Sequence, residues 1–423
     1  MHLLGITGVE DKLQDDVVNT LENMKHAGIK VWMLTGDKVE TAITVATSAG
    51  LKHQRQDMMV MKEMTDVNEV VDRLKLFGNK RDTVLVIDGK TLEVALEHCG
   101  KEFFEYTTKK APAVVCCRCS PTQKATITEG VKKLTKQRTA AIGDGGNDVA
   151  MIQAADVGIG VEGKEGKQAA LSADYSIPKF EYLNKLLLWH GRNAYKGSSV
   201  LAHFVIHRGL IISFLQAFFS LVYYDLSISI YTGILNLGYT TIFTWLPVLS
   251  LLYDKDIDEE RALQFPNLYK SLQKGRELNL KSFFIWLWWS LYQGAVIMLC
   301  TIYMFDNSYY NIVTITFTAL IAAELFNVWT TLNKIHKIAV ISVCCSMSAY
   351  LLVIVFMKKD INASAITLKF MYNVVFLTIV SWLPLHLVKL VKNKFAPSEQ
   401  QKIMKGVKKN SPQSSSNGSL RTV

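Results

Sequence analysis

The chain has 423 residues, enough for two or three domains, and 49% of them are hydrophobic. Its positive mean hydropathy of +0.17 argues against a wholly water-soluble protein. The formal net charge of +10 does not indicate nucleic-acid binding, because Lys and Arg lie in loops beside apolar segments and in the C-terminal tail.

The hydrophobic excess is uneven along the chain. Residues 1–180 have the mixed composition of an α/β domain, whereas long apolar runs dominate after residue 199. The seven cysteines are scattered and do not form the two well-spaced ligand pairs of a zinc site. We therefore expect reduced thiols in the first part of the chain and apolar cysteines in the second.

Strands and helices are predicted to alternate through the first 180 residues. Apolar runs predict strands at residues 2–7, 30–34, 83–89, 113–118 and 139–142, and a helical pattern follows each of them. Residues 52–80 show no clear pattern. The alternation predicts a parallel sheet that is covered by helices on both faces.

Two of these strands run directly into polar turns that could hold a phosphate. The second strand leads into Thr35-Gly36-Asp37-Lys38, where a hydroxyl and the free N–H groups of a helix start favour an anion. The simpler alternative is that Thr35 or Asp37 only caps the helix. The fourth strand leads into Arg118, and the helix that follows places Lys124 in its first turns, at the same sheet edge.

The fifth predicted strand ends in Gly143-Asp144-Gly145-Gly146-Asn147-Asp148. Asp144 and Asp148 are two carboxylates four residues apart, which suit a hard cation such as Mg²⁺. Asn147 can reach a phosphate oxygen, and the glycines permit close approach of the backbone. A tight turn with a solvated pair of carboxylates is the alternative. Together the three turns place hydroxyl, cationic and carboxylate groups at one sheet edge, a combination that indicates phosphoryl transfer.

These turns resemble three phosphate-site motifs of P-type ATPases, which are haloacid-dehalogenase-like phosphotransferases. The matching segments are Thr35-Gly36-Asp37-Lys38, Arg118-x-x-Pro121-x-Gln123-Lys124 and Gly143-Asp144-Gly145-Gly146-Asn147-Asp148. Residues 159–170 and the tripeptide His190-Gly191-Arg192 resemble the phospholipid-flipping branch, and they are most similar to its endosome and Golgi class-nine members. The resemblance covers nearly the whole chain except the tail.

The resemblance implies ATP and Mg²⁺ as cofactors and assigns roles to the motif residues. It implies that Lys124 and Asp144 are catalytic, as phosphate ligand and Mg²⁺ ligand. Asp148 then neighbours the metal as a second ligand, and Asn147 neighbours the phosphate. The other matches to nucleotide- and phosphate-binding positions are Thr35, Gly36, Asp37 and Arg118.

One part of the family pattern is missing. The family's nucleophile is the Asp of an Asp-Lys-Thr-Gly-Thr stretch, on a strand in the middle of the sheet, and these residues contain no such stretch. Asp88-Gly89-Lys90-Thr91 is only superficially similar. The resemblance implies the C-terminal part of an ATP-driven flippase that moves aminophospholipids to the cytosolic leaflet, and we expect the chain by itself to be inactive. The alternative is a catalytically inert, truncated product that acts as a membrane regulator or interaction protein.

The second part of the chain predicts a membrane domain behind an amphipathic stalk. Six apolar runs each have about the 20 residues that a bilayer requires. They lie at approximately 200–223, 228–253, 282–305, 311–332, 338–357 and 365–388. Basic residues predict that the loops at 254–281 and 333–337 are cytoplasmic. Gly238 and Pro247 predict a broken or kinked second span.

Polar residues inside the apolar runs are candidates for function, because burying them in a bilayer is costly: His203, His207, Arg208 and Glu324. The two histidines are too few ligands for a metal site. Alignment with flippases implies that Arg208 and Thr240 lie on the lipid path, where relatives carry Lys and Asn. A cation pump is disfavoured, since the first two spans carry no mid-span carboxylate.

We therefore predict an incomplete haloacid-dehalogenase-like α/β phosphorylation domain, followed by an all-α membrane domain of six transmembrane helices. The predicted boundaries are 1–180 for the partial phosphorylation domain, 181–198 for the stalk helix, 199–392 for the membrane domain and 393–423 for a disordered cytosolic tail. The partners implied are a phospholipid substrate and a membrane, without nucleic acid. The class-nine resemblance further implies trans-Golgi or endosomal membranes and no obligate accessory glycoprotein subunit.

Overall fold

The computed structural model describes residues 12–53, 55–163, 167–224, 228–275, 277–304, 309–356, 368–397 and 401–402. The chain divides into two compact units, one formed by Met1–His190 with Ala262–Lys270 and the other by Gly191–Arg261 with Ser271–Val423. The predicted strand at 2–7 and most of the predicted tail lie outside the described residues. The predicted fold class, an α/β domain followed by six membrane helices, is confirmed.

The first unit contains two parallel sheets. Its strands are β1 (Trp32–Leu34), β2 (Asp57–Met61), β3 (Thr83–Asp88), β4 (Val114–Cys117), β5 (Ala140–Gly143), β6 (Val157–Val161) and β7 (Tyr175–Ile177). A four-stranded sheet has the order β1-β4-β3-β2, and a three-stranded sheet has the order β5-β6-β7. All pairings within these two sheets are parallel, as the alternation of strands and helices predicts.

Helices cover both faces of the larger sheet. The helices of this unit up to the second sheet's last strand are α1 (Val17–His26), α2 (Val39–Ser48), α3 (Val67–Asn79), α4 (Gly89–Lys109), α5 (Pro121–Thr135), α6 (Val149–Ala154) and α7 (Gln168–Ser172), of which α6 and α7 pack on the smaller sheet. Leu85 and Ile87 of β3 pack in a hydrophobic cluster with α3 and α4, whereas Val84 and Val86 pack in another with α2. Because side chains alternate across a strand, β3 is buried on both faces, and each such side chain contributes about 1.5–3 kcal/mol.

The two sheets leave β1 and β5 as edge strands. β1 pairs only with β4 and β5 pairs only with β6 among the described residues. A cluster built on Met24 and Ile159 joins the two regions, and Val31 next to β1 and Ile142 of β5 both pack against it. The first unit is therefore one packed body with an interrupted sheet.

Six helical segments are long and apolar enough to cross a membrane. Five belong to the second unit, and the first begins in the first unit and continues into the second. We call them spans 1 to 6, and they are Tyr182–Val222, Gly233–Tyr253, Leu280–Met304, Tyr309–Thr331, Lys337–Ile354 and Leu368–Phe395. Span 4 is the central one, since 78% of its apolar window is buried, against 22–50% for the others. Span 1 includes the predicted stalk and begins with a π-helical turn at Lys185–Gly191.

Span 2 is broken, as Gly238 and Pro247 predict. An α-helical turn at Gly233–Gly238 passes into a π-helical turn at Tyr239–Phe243, and helix resumes at Trp245–Ser250. Between them Thr244 has a non-helical φ of −123°. A Cβ on Gly238 would lie 2.8 Å from the ring of Phe243, so the close contact requires glycine.

Candidate functional site

The turns after β1 and β4 are tied together by three main-chain hydrogen bonds. The Thr35 N–H donates to the Cys116 carbonyl at 2.9 Å, and the Cys119 N–H donates to the Thr35 carbonyl at 3.0 Å. The Arg118 N–H donates to the Asp37 carbonyl at 3.0 Å. Since both turns leave the carboxyl ends of neighbouring strands, their side chains share one edge of the larger sheet.

The side chains of Thr35 and Asp37 bind each other. The Thr35 hydroxyl donates to Asp37 Oδ2 at 2.9 Å and accepts from the Asp37 N–H at 3.1 Å. The residue that caps α2 is Lys38, and no side chain caps its N–H groups. The helix-cap alternative is therefore wrong for both residues. A Cβ on Gly36 would meet nothing within 4 Å, so the turn borders open space.

Lys124 and Asp148 form a buried ion pair. Lys124 Nζ lies 2.8 Å from Asp148 Oδ1, and the two residues are 4% and 8% exposed. A capping box of Ser120 and Gln123, with Pro121 at the first helical position, fixes the start of α5 and so positions Lys124. The structure thus brings together two residues that the sequence places in separate turns.

Tight packing around Gly143 shapes the turn after β5. A Cβ on Gly143 would lie 2.3 Å from the Asp148 Cβ, and one on Gly145 would lie 2.4 Å from Asn147 Oδ1. Asn147 and Asp144 are exposed, and Asp144 makes no hydrogen bond or ion pair with the described residues. The turn therefore presents one open carboxylate, that of Asp144, beside a carboxylate already held by Lys124.

This donor set fits Mg²⁺ with a bound phosphate rather than an all-protein metal cage. Within the described ranges no group of three or more His, Cys, Asp or Glu side chains could enclose a metal ion. Mg²⁺ is commonly held by one or two carboxylates together with waters and phosphate oxygens. Asp144 supplies an open carboxylate, whereas Asp148 has one oxygen engaged by Lys124.

Arg118 is placed differently from Lys124. Its backbone has a left-handed φ of 50°, and its guanidinium Nη1 lies 3.4 Å from Glu63 Oε1. Both side chains of this pair are exposed, so it contributes little to stability. Arg118 therefore lies at the predicted sheet edge, with its side chain turned to Glu63, the second residue after β2.

Asp88 has a structural role. Its Oδ1 accepts from the Thr91 N–H and its Oδ2 accepts from the Glu63 N–H, each at 3.1 Å. The residue is 1% exposed. Both carboxylate oxygens are thus engaged in capping α4 and holding the turn after β2, which agrees with the interpretation of Asp88-Gly89-Lys90-Thr91 as only superficially similar to a nucleophile motif.

The cysteines near this edge are buried thiols. Burial, together with the nearby Cys119, raises the pKa of Cys117 to about 12, so its thiol stays protonated at neutral pH. A hydrogen bond with the Cys116 thiol lowers the pKa of Cys119, and the positive charge of Lys124 acts in the same direction. All the cysteines are free thiols, as predicted.

A second group of polar residues lies inside the membrane spans. Arg208 of span 1 is 7% exposed, and its Nη1 donates to Thr244 Oγ1 at 2.9 Å and lies 3.4 Å from the Thr240 carbonyl. The Thr240 side chain is exposed and bonds to main-chain carbonyls of its own helix. The break in span 2 thus supplies the oxygen atoms that hold Arg208.

His203 and His207 are held by different partners. His203 contacts the Ser199 carbonyl at 2.8 Å and Ser282 Oγ at 3.0 Å. His207 belongs to a buried polar network, whose other members the sequence reasoning missed: Tyr239, Ser290, Gln293 and Asn327. Buried Asn and Gln within apolar runs were the available signal, because such residues hydrogen-bond across membrane helices.

The parallel sheet with Lys124 and the acidic turn at its carboxyl edge defines a haloacid dehalogenase-like hydrolase domain. A family model of that description matches residues 15–178. A second model, described as the C-terminal region of phospholipid-translocating P-type ATPases, matches residues 170–398. The chain belongs to the phospholipid-translocating P-type ATPase family and is a multi-pass membrane protein.

Individual relatives support the same assignment. The chain is 49% identical to "Probable phospholipid-transporting ATPase IIB" of Danio rerio, 44% to "Probable phospholipid-transporting ATPase tat-5" of Caenorhabditis elegans, and 40% to "Phospholipid-transporting ATPase neo1" of Schizosaccharomyces pombe. The alignments cover 95%, 95% and 96% of this chain but 36%, 38% and 39% of the relatives. The class-nine resemblance is confirmed, and the chain spans little more than a third of the length of these relatives.

Proposed function

We propose that the chain supplies the phosphorylation-site edge and the last six spans of an ATP-driven phospholipid flippase, which moves aminophospholipids to the cytosolic leaflet. The observation that carries the proposal is the buried Lys124–Asp148 pair beside the open carboxylate of Asp144, in one chain with six membrane spans. The three relatives named above carry phospholipid-transporting ATPase names.

In this proposal Asp144 holds Mg²⁺, with Asp148 as a second, partly engaged ligand. When bound, Mg²⁺ supplies positive charge that offsets the charge developing on the transferred phosphoryl group. Lys124 is fixed at 2.8 Å from Asp148 and so lies beside the metal and phosphate position. Asn147 is exposed and its amide can donate to a phosphate oxygen, and Thr35 could do so with its hydroxyl proton once that proton is released from Asp37. Gly36, Asp37 and Arg118 then border the nucleotide.

The interrupted sheet supports a nucleophile that comes from another segment. Among the described residues β1 and β5 each have a free edge, and unpaired strand edges accept a further strand. We infer that a strand ending in the phosphorylated Asp pairs with both of them. The described chain would then hold every group of the site except the one that becomes phosphorylated.

The test compares the purified chain with a chimera in which the upstream part of the Danio rerio relative precedes it. Both proteins are incubated with Mg²⁺ and γ-labelled ATP at low temperature. We expect a hydroxylamine-sensitive phosphoprotein from the chimera and none from the chain. Labelling of the chain itself would contradict the proposal, as would an unlabelled chimera that is folded and binds ATP.

Arg208 is the proposed lipid contact. Arg can grip a phosphate through two parallel hydrogen bonds, and its Nη1 is already held by Thr244 at 2.9 Å, next to Thr240 at the break of span 2. A charge inside a span costs at least about 2.5 kcal/mol on insertion scales, which an anionic ligand would offset.

Replacing Arg208 should separate lipid stimulation from phosphorylation. In the chimera, Arg208→Ala should reduce lipid-stimulated ATP hydrolysis about tenfold or more, because a hydrogen bond to a charged group is lost, while phosphorylation by ATP stays intact. Arg208→Lys keeps the charge without the planar guanidinium, so its lipid-stimulated ATP hydrolysis should lie between that of the unsubstituted chimera and that of Arg208→Ala. Unchanged lipid stimulation in Arg208→Ala would rule out the contact. Loss of phosphorylation as well would indicate misfolding.

We further propose a trans-Golgi or endosomal location and function without an obligate accessory glycoprotein. Both rest on the class-nine relationship. Fluorescence microscopy of the tagged chimera tests the location, and purification from cells tests the subunit composition. A stoichiometric glycoprotein in the purified complex would contradict the second proposal.

The alternative function is that the chain acts as an inert membrane regulator. The absence of a nucleophile motif in these residues favours this alternative for the chain in isolation.

A further inference from the structure

The centre of the membrane domain contains a buried carboxyl group without an ionic partner. Glu324 of span 4 is 1% exposed. Its Oε1 lies 3.3 Å from the Tyr239 hydroxyl and 3.8 Å from His207 Nε2, and its Oε2 has no hydrogen-bond partner among the residues that the structure describes. An ionised carboxylate without a partner in such surroundings is strongly unfavourable.

The Tyr239 hydroxyl has a single proton but lies within hydrogen-bond distance of two oxygen atoms. The Tyr239 hydroxyl lies 3.2 Å from the Arg208 carbonyl and 3.3 Å from Glu324 Oε1. A hydroxyl has one proton to donate, and a carbonyl can only accept. When Tyr239 donates to the Arg208 carbonyl, the contact with Glu324 is a hydrogen bond only if Oε1 carries a proton and donates it to the Tyr239 oxygen.

His207 does not supply a positive charge to Glu324. Ser290 Oγ donates to the Trp286 carbonyl at 2.9 Å and therefore accepts from His207 Nδ1 at 2.7 Å. The Asn327 amide donates to His207 Nε2 at 3.2 Å. His207 is thus a neutral imidazole with its proton on Nδ1 and with its other nitrogen already engaged.

The paired amides are arranged in agreement with this direction. Asn327 Nδ2 also donates to Gln293 Oε1 at 3.0 Å, and Gln293 Nε2 donates to Asn327 Oδ1 at 3.1 Å. Each amide therefore uses its oxygen and a nitrogen in the pair. The remaining N–H of Asn327 is directed at His207, so the network as a whole holds the imidazole neutral beside Glu324.

The other charged group nearby is Arg208, which acts electrostatically on Glu324 but forms no salt bridge with it in the described structure. Its Nη1 is bonded to Thr244 instead. Spans 3 and 6 also pack against span 4, and their buried residues include no ionisable side chain among those described: the polar ones are Ser290, Gln293, Thr301, Asn373, Thr378 and Ser381.

We propose that Glu324 is a proton-binding site inside the membrane domain, and that its proton is bound together with a phosphate group at Arg208. With Glu324 protonated, the charge of Arg208 has no counter-ion and favours an anion; with Glu324 ionised, that charge is balanced locally. Binding of the proton and of the phosphate therefore strengthen each other reciprocally. The phosphate half of this proposal rests on the proposed lipid contact of Arg208, whereas the proton half does not.

Infrared difference spectroscopy on the 423-residue chain in a phosphate-free glycoside detergent tests the proton site. Spectra between about pH 5 and about pH 9 reveal the carbonyl band of a protonated carboxyl group. We expect a band at neutral pH that Glu324→Gln lacks and that Asp258→Asn retains, because Asp258 is an exposed carboxylate paired with Lys334. A band that is unchanged in Glu324→Gln would overturn the proton site.

A second variant covers the case in which Glu324→Gln does not fold. Tyr239→Phe removes only the hydroxyl oxygen that accepts the proton of Glu324, so the frequency of the band should shift. An unshifted band would overturn the hydrogen-bond assignment. This test of the proton site is independent of the proposed function, because neither variant has to hydrolyse ATP in it.

The phosphate half is tested by titrating the same chain with a short-chain phospholipid or with inorganic phosphate. Lipid should increase the band at neutral pH, and its affinity should rise by up to about tenfold per pH unit on acidification, the limit for one linked proton. In Arg208→Ala the band should persist without responding to lipid. A response to inorganic phosphate alone would assign the ligand to free phosphate, and a response to neither would overturn the linkage.

Discussion

At the residue scale, the Lys124–Asp148 pair is the feature on which the site depends. Lys124→Met leaves the Asp148 carboxyl group buried without its partner, which should lower the free energy of unfolding by about 3–5 kcal/mol. The double variant Lys124→Met/Asp148→Leu should recover much of that loss, because both charges are gone. Chemical denaturation of the first unit within the intact chain measures both. Additive losses in the double variant would show that the two residues are not coupled.

Sequence reasoning predicted that Lys124 would lie near the acidic turn, because strand ends in a parallel sheet share an edge. It could not predict which carboxylate Lys124 would contact. That choice depends on Gly143, whose missing Cβ lets the Asp148 side chain fold back over the end of β5. Sequence reasoning also placed Arg118 at the same edge, but it could not predict that the guanidinium would be directed to Glu63.

At the element scale, spans 1 and 3 pack closely at a glycine. A Cβ on Gly294 would lie 2.9 Å from the Phe214 Cβ and 3.4 Å from the Ile211 carbonyl. Gly294→Ala should therefore separate the spans and cost about 1–3 kcal/mol of stability. Gly209→Ala is the matched control, since a Cβ there meets nothing within 4 Å. Equal melting temperatures of the two variants in detergent would contradict this prediction.

Single elements were predictable to different degrees. Strands β1, β3, β4 and β5 and the six spans follow from apolar runs of the right length. Strand β2 and helix α3 were missed within residues 52–80, because β2 is rich in Met and only partly buried. In α3 the buried positions are spaced along one face among charged residues, so a helical pattern exists but is diluted.

At the scale of the whole molecule, the interrupted sheet should limit the stability of the first unit. Amides at the free edges of β1 and β5 have no strand partners within the described part of the chain, so they should exchange with solvent quickly in the isolated chain. In the chimera with the upstream part of a relative, exchange at these amides should slow about tenfold or more, equivalent to at least about 1.4 kcal/mol. Amides of β3, which is paired on both sides, are the internal control. Equal protection of β1 and β5 in both proteins would count against a missing strand.

The sequence by itself determined the class of fold, the motif turns and the membrane segments of this protein. These properties follow from local features: the period of apolar residues, the length of apolar runs, and glycines and polar residues directly after strands. The tertiary structure decided the partners. It selected Asp148 for Lys124, split the strands into two sheets at β1 and β5, and gathered His207, Tyr239 and Glu324 from three separate spans into one network. Contacts between residues far apart in the chain depend on how helices and strands pack, and no local pattern encodes that packing.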